Sequence, residues 1–102
     1  MVKLTALFGH PESPEDFERH YLGVHVPLAK AIPHVTRIET ARVGPSPSGE
    51  TPPYYRMAEL WFPDLASLDA AMASPQGRSA AADIATFATG GATLLVSAVD
   101  GD

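Results

Sequence analysis

Residues 10–33, HPESPEDFERHYLGVHVPLAKAIP, form a segment that starts as a helix and cannot finish as one. Ser13 offers an N-cap, Pro14 suits the first helical position, and Glu15 and Asp16 make an acidic first turn. At about 100° per residue, Phe17, Tyr21, Val24 and Leu28 share one apolar face. His20 and His25 flank that face on opposite edges. Pro27 removes a backbone donor and biases Val26 away from helical geometry. The spacing therefore predicts a helix that kinks or restarts near Gly23 to Pro27 and ends before Pro33.

Working outward, Val2 to Phe8 alternates as a strand with both sides partly apolar. Val35 to Val43 and Tyr54 to Phe62 read as two more strands, the latter rich in aromatics. The Pro, Gly and Ser residues of Gly44 to Pro53 make the loop between them. Asp64 caps a helix through about Ala73, with Leu65, Leu68 and Met72 inward. Ser74 and Pro75 open another, with Ala80, Ile84 and Phe87 inward, which Gly90 and Gly91 stop. Ala92 to Val99 is the last strand. The order strand, helix, two strands, helices, strand gives an α+β, ferredoxin-like βαββαβ unit: a four-stranded antiparallel sheet with helices on one face. The other sheet face still carries apolar residues, and a second copy of the chain is the simplest cover.

Composition narrows the function. The chain has 102 residues, which suits one domain over 1–102. Seven Lys and Arg against twelve Asp and Glu leave a formal charge of -5, with no basic stripe for phosphates. Nucleic-acid binding and attachment to an anionic membrane surface are therefore not expected. With no cysteine, disulfides, thiolate metal sites and a cysteine nucleophile are excluded. No membrane span or signal-peptide layout is visible, so a cytoplasmic location is expected.

Several residues carry candidate chemistry. His25 sits at the helix break; it is either a general acid or base, or a cap on the broken helix. Tyr21, one turn earlier, can place its hydroxyl beside that ring as a polarising donor, or simply pack. His20 reads as an edge residue, and His10 as a loop stabiliser. Glu59 calls for a partner, with Arg56, Arg37 or Arg42 in cross-strand reach. Asp83 binds a ligand or caps the Gly90-Gly91 turn. His20 and His25 are five apart, not the three or four that align two ligands on one α-helical face, so no metal site is expected. No phosphate-binding glycine loop opens a helix, so no cofactor is expected either.

The chain resembles the EthD family, named for a protein linked to bacterial degradation of ethyl tert-butyl ether. The resemblance runs over nearly the whole length. It rests on His10-Pro11, on Phe17-x-x-x-Tyr21-x-x-x-His25-x-Pro27-Leu28-Ala29, on Tyr54-Tyr55-Arg56-Met57-Ala58-Glu59-Leu60, and on Ala82-Asp83-Ile84-x-x-Phe87-Ala88-x-Gly90-Gly91. His20 departs from the pattern, where the family often carries an aromatic or a variable residue. The resemblance implies a homodimer through the sheet face, forming a dimeric α/β barrel. In related barrels, among them polyketide cyclases, muconolactone isomerases, quinol-forming monooxygenases and haem-degrading enzymes, the ligand sits between sheet and helices. The site residues to expect are then His25 and Tyr21 as catalytic groups, with Phe17, His20, Leu28, Asp83 and Phe87 around the substrate. The expected function is proton-transfer or oxidative chemistry on a small apolar or aromatic metabolite. A non-catalytic carrier or oxygenase accessory is the alternative, and haem binding a third reading. Such family members are often labelled reductases, which nothing in the residues supports.

Overall fold

The computed structural model describes residues 1–101. Strand β1 (Val2–Gly9) leads to helix α1 (Pro14–His20), a π-helical turn (Tyr21–His25) and the short helix α2 (Val26–Lys30). Strands β2 (Arg37–Arg42) and β3 (Tyr54–Phe62) follow, then helices α3 (Leu65–Ala73) and α4 (Pro75–Phe87), and strand β4 (Ala92–Ala98). The caps fall where local chemistry demands. Ser13, Asp64 and Ser74 each accept a hydrogen bond from a backbone N–H in the first turn of the helix they open.

All strand pairs are antiparallel, in the order β2-β3-β1-β4. The helices cover one face. Phe8, Phe17, Tyr21 and Phe62 are its fully buried large side chains. Near the top of β1 the register shifts between Phe8 and Gly9. There Tyr55 packs edge-on against Phe17, on the helix side, with ring centroids 5.2 Å apart.

The barrel implied by the resemblance is not formed. The sheet is open, with β2 and β4 as unpaired edges. The reason is strand number: closing a barrel with a filled interior takes about eight strands, and four cannot curl round to meet. The uncovered face carries Lys3, Leu7, Met57, Glu59, Trp61 and Leu95, in register across the sheet. Glu59 takes its partner there from Lys3 at 2.7 Å, not from an arginine. Trp61 is flanked by two cations, Lys3 at 5.5 Å and Arg37 at 5.0 Å from its ring centre. Strand β2 is shorter than the expected Val35 to Val43, although the Thr36 and Val43 N–H groups just outside it still donate to the carbonyls of Trp61 and Tyr55 on β3.

Helix α4 reaches its position because Gly77 has no side chain. A Cβ there would lie 2.2 Å from the carbonyl oxygen of Ala71 and 2.7 Å from the Cα of Met72. In an exposed helix, Gly→Ala stabilises by about 1 kcal/mol. Here the sign inverts: Gly77→Ala is expected to destabilise by about 1–3 kcal/mol through overpacking, as read from the midpoint of urea unfolding.

Candidate functional site

The site is built by the broken helix. Pro27 has no N–H to give, and in an α-helix its ring would press on the carbonyl of Gly23. The chain answers with one wide turn ahead of it: the Val26 N–H donates to the Tyr21 carbonyl, five residues back. Such turns recur at functional positions. The consequence is rotational. Val24, inward by α-helical projection, is 44% exposed, while His25 is 8% exposed and faces the core. The rings of Tyr21 and His25 stack with centroids 5.8 Å apart. His20 and His25, five apart, converge on one partner.

That partner is Asp83 on α4. Its Oδ1 lies 2.9 Å from His20 Nε2, and its Oδ2 lies 3.0 Å from His25 Nδ1. The Thr86 hydroxyl donates to the Asp83 carbonyl at 2.6 Å and stands 3.1 Å from Oδ1. Asp83, Thr86 and Phe87 share a face through i, i+3, i+4 spacing. Phe87 stacks on His20 at 5.1 Å and meets His25 at 4.8 Å. Asp83 therefore does not cap the Gly90-Gly91 turn; its carboxylate is taken up by two imidazoles and a hydroxyl.

These contacts set the charges. Burial pushes His25 below its ordinary pKa, against the pull of Asp83, so its ring is neutral at pH 7. With Asp83 accepting at Nδ1, that nitrogen carries the proton and Nε2 keeps its lone pair. Burial works against the Asp83 charge, but hydrogen bonds from His20, His25 and Thr86 hold its carboxyl below the usual range. Burial pushes the Tyr21 hydroxyl up to about 12, so it stays protonated. That hydroxyl is buried and has no hydrogen-bond partner, a state that costs about 1–3 kcal/mol and calls for an explanation.

Tyr21 and His25 line a cavity between sheet and helices of about 50 Å³. Its walls are otherwise almost wholly apolar, among them Leu4, Ile38, Leu60 and Met72. Ala81, Ile84 and Leu94 belong both to this cavity and to a surface groove between α4 and β4, so the two spaces adjoin. The other expected residues lie elsewhere. Phe17, His20 and Phe87 line a separate surface cleft with Ser13, Asp16 and Thr86. Leu28 faces a shallow groove toward Pro75 and Ser79. Asp83 sits between His20 and His25. His10 donates from Nε2 to the carbonyl of Pro52 at 2.8 Å, which ties the β2–β3 loop down. Among the described residues, no cluster of three or more His, Cys, Asp or Glu is arranged to hold a metal ion.

Sequence reasoning missed Thr86, whose signal was its i+3 spacing from Asp83. It also missed the support beneath Tyr21. Arg56, 7% exposed, lies under that ring at 4.7 Å and donates to both Glu18 oxygens at 2.9 and 2.8 Å. This pair joins β3 to α1.

An open α+β sheet roofed by helices, with a part-buried histidine–carboxylate–histidine cluster beside an apolar cavity, defines the class. The EthD domain family matches residues 9–91, and the chain belongs to that family. It is 42% identical, over 93% of its length and 91% of the relative's, to an uncharacterized 11.0 kDa protein encoded in the thcB-thcC intergenic region of Rhodococcus erythropolis. A solved structure of an ethyl tert-butyl ether D (EthD) family protein from Bacillus halodurans is 35% identical, with a TM-score of 0.91 over 97% of this chain and 98% of that one. A ferredoxin-like protein from Thermobifida fusca, described as dimeric, shares the fold at 18% identity, with a TM-score of 0.70 over 96% of this chain and 90% of that one. Among the described residues no helix is long and apolar enough to cross a membrane.

The Glu18–Arg56 pair makes a stability prediction. Hydrogen bonding from Arg56 holds the Glu18 carboxyl below its ordinary 4.5. Its contribution is therefore complete above that value and is lost as pH falls through the lowered one. Glu18→Gln strands a buried guanidinium and is expected to cost about 3 kcal/mol at pH 7. Denaturant titrations at pH 7 and pH 3 check this: the gap between wild type and variant narrows in acid.

Proposed function

We propose that this chain is an enzyme that moves a proton on a small apolar or aromatic metabolite, with His25 as the general base and acid. One observation carries the reading. His25 has one nitrogen held by Asp83 and the other unpaired, beside a nearly apolar cavity that Tyr21 also lines. The ligand class follows from the walls. Its reactive end is small enough for the cavity, and an apolar remainder lies along the adjoining groove between α4 and β4.

The chemistry balances without further groups. His25 Nε2 takes a proton from a carbon beside a carbonyl, and the Tyr21 hydroxyl donates a hydrogen bond to the oxyanion that develops. Asp83 steadies the imidazolium through Nδ1–H. Returning the proton at a second carbon completes an isomerisation. Arg56, held by Glu18, keeps the Tyr21 ring in place from behind.

The first test is a thermal-shift screen against small aromatic acids, lactones, quinols, short-chain ethers and haem, followed by turnover assays on the class that stabilises. A ligand at a hundredfold its Kd adds about 2.7 kcal/mol. His25→Gln is expected to lower kcat by about 10²–10⁴-fold with ligand affinity retained. In the wild type, kcat/KM falls in acid as His25 charges, and that limb lies below pH 6.5 because burial lowers its pKa. Stabilisation by ligand with no turnover, indifferent to His25→Gln, would make the protein a carrier.

We also propose a homodimer through the uncovered sheet face. Leu7, Met57 and Trp61 stand there with no helix over them, and the Thermobifida relative is itself described as dimeric. Sedimentation equilibrium at micromolar concentration is expected to give twice 10.8 kDa; the single mass overturns this. A cysteine-free chain suits the reducing cytoplasm, where we place it.

A further inference from the structure

His25 and His20 border two different spaces. His25 lines the inner cavity, and His20 lines the surface cleft of about 330 Å³ between α1 and the end of α4. Asp83 bridges them: Oδ2 lies 3.0 Å from both His25 Nδ1 and His20 Nε2, and Oδ1 lies 2.9 Å from His20 Nε2. Side-chain exposure rises along this line, from 10% at His25 and 11% at Asp83 to 30% at His20. A ligand in the cavity would cover the Nε2 side of His25. The Nδ1 side then reaches water through Asp83 and the two groups on its outer side, His20 and Thr86.

We propose that His20 is the proton port of the site: protons enter and leave His25 through Asp83 and His20, at the outer cleft. The proposal rests on the reading of His25 as a proton-transfer group, but the port is a property of the free chain. The outward sequence balances. His25, protonated on Nε2, gives its Nδ1 proton to Asp83 Oδ2. Asp83 passes that same proton from Oδ2 to Nε2 of a neutral His20 in its Nδ1–H tautomer, 3.0 Å away. His20 releases its Nδ1 proton to cleft water. Each transfer breaks one N–H or O–H bond and makes another; the cluster gives up one proton in all and ends with both imidazoles as Nε2–H tautomers. Inward transfer reverses these steps.

The surroundings keep the line narrow. Phe87 stacks on His20, and Phe8, Tyr21 and Phe87 pack on His25. Thr86 meets both Asp83 and His20. The other charged groups on the cleft are Glu12 and Asp16, the latter paired with Arg19, and the Glu18–Arg56 pair lies beyond Tyr21. His20 acts on the reaction only through Asp83, so it is a proton-exchange residue and not a catalytic one.

The test is the solvent-exchange rate of the His25 Nδ1–H, measured by NMR on nitrogen-15 histidine-labelled protein at pH 7. His20→Gln keeps a donor for Asp83 but cannot relay, and His20→Phe keeps the ring stack but has no nitrogen. Both are expected to slow exchange at least about tenfold, since a buried N–H without a relay must wait for local opening. Exchange in His20→Gln as fast as in wild type overturns the port. So does loss of the His25 resonance in that variant, because His20 would then only hold Asp83 in place. The outcomes separate from the functional reading. Slowed exchange in a protein without turnover keeps the port and sinks the enzyme. Unchanged exchange with turnover abolished by His25→Gln keeps the enzyme and sinks the port.

Discussion

The missing N–H of Pro27 is the constraint on which the site depends. A proline in mid-helix must break the hydrogen-bond ladder, and here the break takes the form of one wide turn. That turn shifts the helical phase by part of a residue. Without the shift, Val24 would face the core and His25 the edge. With it, an imidazole is buried where α-helical geometry would put a valine, and it lies directly under Tyr21. A buried imidazole needs a partner. Asp83 supplies it, and Asp83 in turn is held by His20 and Thr86.

The polar cluster and the aromatic core are therefore one object. Phe8 of β1 touches Phe17, Tyr21, His25 and Phe87. Those rings fix the imidazole plane, and the low polarity they create keeps His25 neutral. The same low polarity would expel Arg56 if Glu18 did not accept both its donors. Two buried charge systems, one on each side of Tyr21, are thus satisfied separately, and the Tyr21 hydroxyl between them is left unpartnered.

What was legible in the sequence was what local chemistry decides. Ser13-Pro14, Asp64 and Ser74-Pro75 marked helix starts because capping involves residues three apart. Alternation marked β3 to the residue. The irregularity near Gly23 to Pro27 was legible, but its sense was not. A 3.6-residue projection put His20 and His25 on opposite edges, where the wide turn brings both to Asp83. The partners of Asp83 and Glu59 were illegible for a different reason: they lie 58 or 63 and 56 residues away, set by packing and register. Of the candidate arginines, Arg42 and Arg56 lie on the other sheet face and Arg37 is taken by Glu39, which leaves Lys3 of β1. The apolar content of both sheet faces showed that one face lacks a cover, but it could not supply the strands needed to close a barrel.

Strand order also bears on how the protein is made. β1 is an inner strand, and its neighbours are β3 and β4. The first of these four strands to be synthesised must therefore wait for residues 54–62 and then for residues 92–98. At roughly 5–20 residues per second, that wait is several seconds for an apolar segment with both edges bare. The broken helix is complete much earlier, and Phe17 and Tyr21 on it are available to shelter Phe8 in the interval. The aromatic contact that later orients the imidazole would then serve first as a cover for nascent chain, before any pocket exists.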